Sequence, residues 1–94
     1  MSEELRLDET VVQHPEALAR RIEDMFVVLQ PDMSELHSLN AVATRIWELI
    51  EQERKVADVA AAVVEEYDID EETARRDVLE LLATLRDKQL IVVK

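Results

Sequence analysis

Residues 35–50 read ELHSLNAVATRIWELI. From Glu35 to Leu39 the residues have the two-residue period of a strand, with Leu36 and Ser38 on one face and His37 and Leu39 on the other. At Asn40 the period changes. Ala43, Ile46, Trp47 and Ile50 follow at i, i+3, i+4 and i+7, which is one face of a helix. Asn40 is a favoured N-cap, because its side-chain oxygen can accept from a free backbone N–H of the first turn. The stretch therefore predicts a strand running straight into a helix, with neither glycine nor proline between them. Trp47 is the only tryptophan, and its place in the apolar stripe favours core packing over a ligand platform.

Towards the N-terminus, Pro31-Asp32 marks a turn, preceded by the β-forming run MFVVLQ (25–30) and the short segment ALARRIE (17–23). The two segments, separated by Asp24, suggest a hairpin. Residues 1–16 are polar and aperiodic and include Pro15. They are expected to form a flexible N-terminal arm, able to pair as an extended segment, ahead of a folded domain over 17–94.

Towards the C-terminus, EQERK breaks the helical pattern. A second helix from about Val56 to Glu66 carries Val56, Val59, Ala60, Val63 and Tyr67 on one side, but Lys55 is a weak cap for it. In YDIDEE, Asp68 or Asp70 can cap a third helix whose first turn is acidic, as the macrodipole favours. That helix extends to about Lys88. Its stripe is Ala74, Val78, Leu81 and Leu85, widened by Leu79 and Leu82. Leu90–Val93 is either a final strand or a packing tail. This inventory predicts an α+β fold, winged helix-turn-helix-like, with a three-stranded antiparallel sheet followed by a three-helix bundle.

Ninety-four residues suffice for one domain with a modest core. Acids outnumber bases 22 to 11, giving a net charge of −11. The excess is spread along the chain, so it repels phosphate backbones and anionic lipid and favours basic or neutral partners. Cysteine and glycine are both absent. The first excludes thiolate chemistry and a disulfide framework; the second excludes phosphate-cradling glycine loops and the Gly-x-Ser-x-Gly elbow. No apolar run is long enough for a membrane span, and a cytoplasmic location is expected.

Catalysis finds no support in the pattern. His14 and His37 lie far apart in sequence. Adjacent His37 and Ser38 point to opposite faces of a strand and cannot act as a local base–nucleophile pair. No His/Asp/Glu spacing predicts a metal site, and no cofactor is expected. Three helices and a wing suggest DNA binding by shape. Against it, the third helix carries Asp70, Glu71, Glu72, Asp77, Glu80 and Asp87 against Arg75, Arg76, Arg86 and Lys88, the wrong balance for phosphate neutralisation. An acyl-carrier reading lacks its Asp-Ser-Leu motif: Asp32-Met33-Ser34 and His37-Ser38-Leu39 are the nearest approaches.

Two physical readings remain. The strand 35–39 can be an open sheet edge that accepts an extended peptide as an added strand. Leu79 and Leu82 would then face the peptide, with Arg75 and Arg86 pairing its carboxylates. Alternatively, the extra leucines pack on the N-terminal arm or form a homodimer face. Composition and periodicity do not separate these.

The order of LHSLNAVATRIWELI and KVADVAAAVVEEYDIDEETARRDVLELLATLRDKQLI closely resembles the PqqD-like family, the leader-peptide recognition domains of ribosomally made, post-translationally modified peptides. Leu39-Asn40, Ile46-Trp47, Val56 to Ala60, and Asp77-Val78 through Leu85 stand in the family's places, and the resemblance covers about residues 18–92. Glu51–Arg54 replaces an Asp-Gly-like turn, Gln89 a glycine, and Lys55 a Thr or Ser. The resemblance implies a non-catalytic peptide chaperone. It would bind a precursor's leader by strand addition at Leu36, His37, Ser38 and Leu39, beside Arg75, Leu79, Leu82 and Arg86. It would present the precursor to a modifying enzyme such as a radical SAM protein or a peptidase. A homodimeric scaffold with no peptide ligand is the alternative.

Overall fold

A computed structural model describes residues 4–94 of the chain. The elements in order are β1 (Thr10–Gln13), β2 (Leu18–Ile22), β3 (Met25–Leu29), β4 (Leu36–Ser38), α1 (Ala41–Leu49), β5 (Arg54–Lys55), α2 (Val56–Tyr67), α3 (Glu71–Asp87) and β6 (Ile91–Val93). The expected three-stranded antiparallel sheet is β2-β3-β4, followed by the three helices. A second three-stranded sheet, β5-β1-β6, was not expected.

Residues 1–16, expected as a flexible arm able to pair as an extended segment, contribute to that second sheet. From Thr10 to Gln13 they form its central strand, with Val11 opposite Arg54 on one side and Val93 on the other. Leu5 and Val11 are buried, and Leu7 packs against the same core. The physical reason lies in helix α2. No side chain caps its N-terminus at Lys55. Instead, the carbonyls of Glu9 and Leu7 accept from the backbone N–H groups of Val56 and Ala57, at 2.9 and 3.0 Å. The arm supplies the acceptors that the missing Ser or Thr would have given. Met1 to Glu3 lie outside the described residues.

Helix α1 opens as expected: the Asn40 side chain accepts from the Ala43 N–H at 2.9 Å. Ala43, Ile46, Trp47 and Ile50 are all buried, so the tryptophan belongs to the core. Of the two candidate caps for α3, Asp70 takes the role. It accepts from the Thr73 N–H at 3.0 Å and from its hydroxyl at 2.8 Å. Those bonds hold its carboxyl below the usual carboxylate range. Asp68 instead ends α2 in the left-handed region.

The junction of β4 with α1 is tied to β3 through Thr44, which is 3% exposed. Phe26 C=O accepts from Leu39 N–H at 2.8 Å, the last rung between β3 and the end of β4. The chain then turns into α1 and leaves Phe26 N–H without a strand partner. The Thr44 hydroxyl accepts from it at 3.0 Å and donates to the Leu39 carbonyl at 3.2 Å. One helical side chain thus completes the ladder where the strand stops.

With no glycine in the chain, four other residues among those described take left-handed backbone: Glu23, Met33, Asp68 and Gln89. Gln89 ends α3 in a Schellman arrangement, its N–H donating to Arg86 C=O and Leu90 N–H to Leu85 C=O, both at 2.9 Å. A side chain there carries a strain of about 1–2 kcal/mol that glycine lacks. Gln89→Gly is therefore expected to raise stability by about 0.5–1 kcal/mol after its own cost in unfolded-chain entropy, read as a higher urea midpoint at unchanged slope. In the opposite direction, Thr44→Val strands two buried backbone groups. It should lower stability by about 2 kcal/mol, and Thr44→Ser should restore most of the loss in the same melts.

Candidate functional site

Strand β4 lies at the edge of its sheet. Val28 stands opposite His37, flanked by the bonds from Gln30 N–H to Glu35 C=O and from Leu39 N–H to Phe26 C=O. In an antiparallel ladder this makes His37 the bonded partner of Val28. The N–H and C=O groups of Leu36 and Ser38 then turn away from β3, towards the open edge. Among the described residues no strand pairs with β4 on that side.

Side chains alternate accordingly. Leu36 and Ser38 are exposed on the outer face, whereas His37 and Leu39 turn inward. The His37 ring sits between three groups. Its Nε2 is 2.8 Å from Gln30 Oε1 and 3.9 Å from Glu35 Oε2, and its Nδ1 is 3.4 Å from Lys88 Nζ. A neutral ring with the proton on Nε2 satisfies this arrangement, donating to Gln30 and accepting from the lysine. The contact joins β4 to the C-terminal end of α3.

The same flank of α3 continues away from Lys88. At helical spacing, Asp77, Leu81, Thr84 and Lys88 form one stripe. Towards its N-terminal end opens an apolar hollow of about 430 Å³, where Asp77, Val78 and Leu81 face Asn40, Val42 and Ile46 of the β4–α1 junction. Tyr67 and Ile69 close its far side. A shallower depression lined by Asp77, Glu80, Leu81 and Thr84 carries it on along α3. An open strand edge thus runs beside a helix flank with a hollow at one end and the His37–Lys88 contact at the other.

Of the expected site residues, the structure brings Leu36, His37 and Ser38 to the open edge beside this cleft, with Leu39 buried in the core at the strand's end. It does not bring the four α3 residues there. Arg75, Leu79, Leu82 and Arg86 form a stripe about 160° round the helix from Asp77, Leu81, Thr84 and Lys88. Leu82 is 0% exposed, and Leu79 is half-buried against the core. Arg75 lies 3.8 Å from Glu71 on its own helix, and Arg86 pairs with Asp87 at 3.4 Å. The flank of α3 on that side carries instead Asp77, Leu81, Thr84 and Lys88, with Val42 across the hollow. Leu81 was marked as core by its spacing. Its partial exposure at the rim is what identifies it.

Comparison with solved structures gives three close matches in fold. TbiB1 in complex with the TbiA(beta) leader peptide is 29% identical, with a TM-score of 0.79, over 85% of this chain and 93% of that one. A lasso peptide synthetase B1 complexed with its leader peptide is 24% identical at a TM-score of 0.76, over 87% and 96%. The PqqD truncation of Methylobacterium extorquens PqqCD, described as a functional and stand-alone RiPP recognition element, is 21% identical at 0.77, over 94% of both chains. No curated protein matches the sequence. The family described as coenzyme PQQ synthesis protein D matches residues 25–91, from the start of β3 into β6 and so through the whole cleft; the protein belongs to the PqqD family.

Proposed function

We propose that the protein is a non-catalytic leader-peptide recognition element. It takes the leader of a ribosomally made precursor as an added strand on β4 and presents the precursor to a modifying enzyme. The observation that carries this reading is the open β4 edge lying beside the Asp77–Lys88 flank of α3. The structural likeness to TbiB1, solved with a leader peptide bound, supports it.

Added to β4, an extended peptide exchanges backbone bonds with Leu36 and Ser38. Each such bond contributes about 0.5–1.5 kcal/mol net and discriminates little between sequences. Discrimination comes from the inward-facing side chains of the peptide. One of them, set over the apolar hollow, gains about 1.5–3 kcal/mol by leaving water. With Asp77 and Glu80 on the rim and a net charge of −11, the protein favours a basic or neutral leader over an acidic one. The enzyme served is of the class of a radical SAM protein or a peptidase, no cofactor is needed for holding a peptide, and the cytoplasm is the place where such precursors are made.

The test is an amide NMR titration with leader peptides encoded by neighbouring small reading frames. Saturable shifts are expected at Leu36–Leu39 and along Asp77–Lys88. Ser38→Pro removes one N–H from the open edge while sparing the β3 ladder, and Leu81→Lys places a charge at the hollow. Each should weaken binding at least tenfold, whereas Arg75→Ala, on the opposite flank, should change it less than twofold. A folded protein that shifts with no leader would sink the proposal and favour a homodimeric scaffold.

A further inference from the structure

The β2-β3-β4 sheet has a second face, and the peptide cleft does not use it. In antiparallel sheets the face turned from the core is ordinarily polar. Here the register places Leu18, Leu29 and Leu36 side by side in one row, Arg20, Val27 and Ser38 in the next, and Ile22 beside Met25 in the third. All lie on the face opposite buried Val28. Leu18, Ile22, Met25 and Leu36 are 60%, 53%, 45% and 65% exposed. Together they make an apolar patch on the order of a few hundred Å², the size that marks interaction surfaces on soluble proteins.

The charges around the patch indicate its occupant. Among the described strand residues of this face, Arg20 is the single charged one. Glu16, Glu23, Asp24, Asp32 and Glu35 stand exposed at the strand ends and in the two turns around it. The other arginine of the hairpin, Arg21, is on the opposite face, paired with Glu48 and stacked on Phe26. A second copy brought to this patch would set carboxylates against carboxylates and −11 against −11. A different protein with an apolar centre and a basic rim matches the patch in both respects.

We propose that this outer face docks such a partner, the enzyme that modifies the bound peptide; the partner's class rests on the leader-binding reading above. Leu36 links the two sites. Its backbone faces the open edge while its side chain sits at the end of the leucine row. An enzyme seated on the row therefore lies directly beside a peptide held on β4, without competing for the cleft. Presentation then follows from adjacency, with no conformational change in the recognition domain.

The double variant Leu18→Lys/Ile22→Lys alters only exposed positions on β2, away from β4. It should melt as the parent does and bind leader peptide within twofold of it. Against the purified modifying enzyme encoded beside the precursor, its affinity should fall at least tenfold in calorimetric titration. Parent affinity for that enzyme should also weaken with rising salt, as a carboxylate ring facing a basic rim requires. An enzyme that binds parent and variant equally, or binds neither, overturns the assignment. So does a parent dimer, seen in sedimentation, that the two lysines dissociate while enzyme affinity is unchanged. Loss of enzyme affinity in the variant, from a parent that binds no leader, would support the docking face while removing the peptide reading.

Discussion

The rest of the site depends on a single constraint, that β4 must stop while β3 still has an N–H to satisfy. The Thr44 hydroxyl resolves it by accepting from Phe26 and donating to Leu39. This fixes where α1 begins and how it leans on the sheet. It also allows β4 to be very short, Leu36–Ser38, and still be held in register. A longer β4 would extend the open edge past the end of α3. A looser junction would let the strand and the hollow beside Asn40 move independently. The geometry of the cleft therefore follows from a hydroxyl that never faces it.

Periodicity made much of this legible. The change from period two to period 3.6 at Asn40 located the junction, and the stripe through Trp47 located the core. The three helices and the β2–β3 hairpin fall where their patterns place them, because each is built from contacts close in sequence. Strands β1 and β5 were not legible. β5 has only two residues, β1 (TVVQ) lacks polar–apolar alternation, and their pairing is set by partners far along the chain. The capping of α2 by the carbonyls of Leu7 and Glu9 was hidden for the same reason, since backbone acceptors carry no sequence signature.

The flank of α3 shows where pattern reading fails for a site. Helical spacing shows that the apolar stripe is wide, but a wide stripe has two borders and spacing does not say which one meets β4. Charge suggested the border with Arg75 and Arg86. The structure puts Lys88, not those arginines, against His37, and puts Leu81 at the hollow. The lysine's partner was unreadable because the contact is tertiary, between residues 51 apart in sequence. What the sequence lacked was the direction of approach of the strand, which only the packed junction supplies.

The β1 strand has one more consequence, for the order of events in folding. Its partner over residues 11–13 is β6, which follows every other described element in sequence. The β2-β3-β4 sheet and α1 can assemble from neighbouring segments as soon as they leave the ribosome. The second sheet cannot close until β6 has been synthesised, and its loop-closure entropy is spent late. The unit carrying the open β4 edge is thus the local, early-forming half of the molecule. The other half, built on β1, β5 and β6, closes later, because its pairings join segments far apart in sequence.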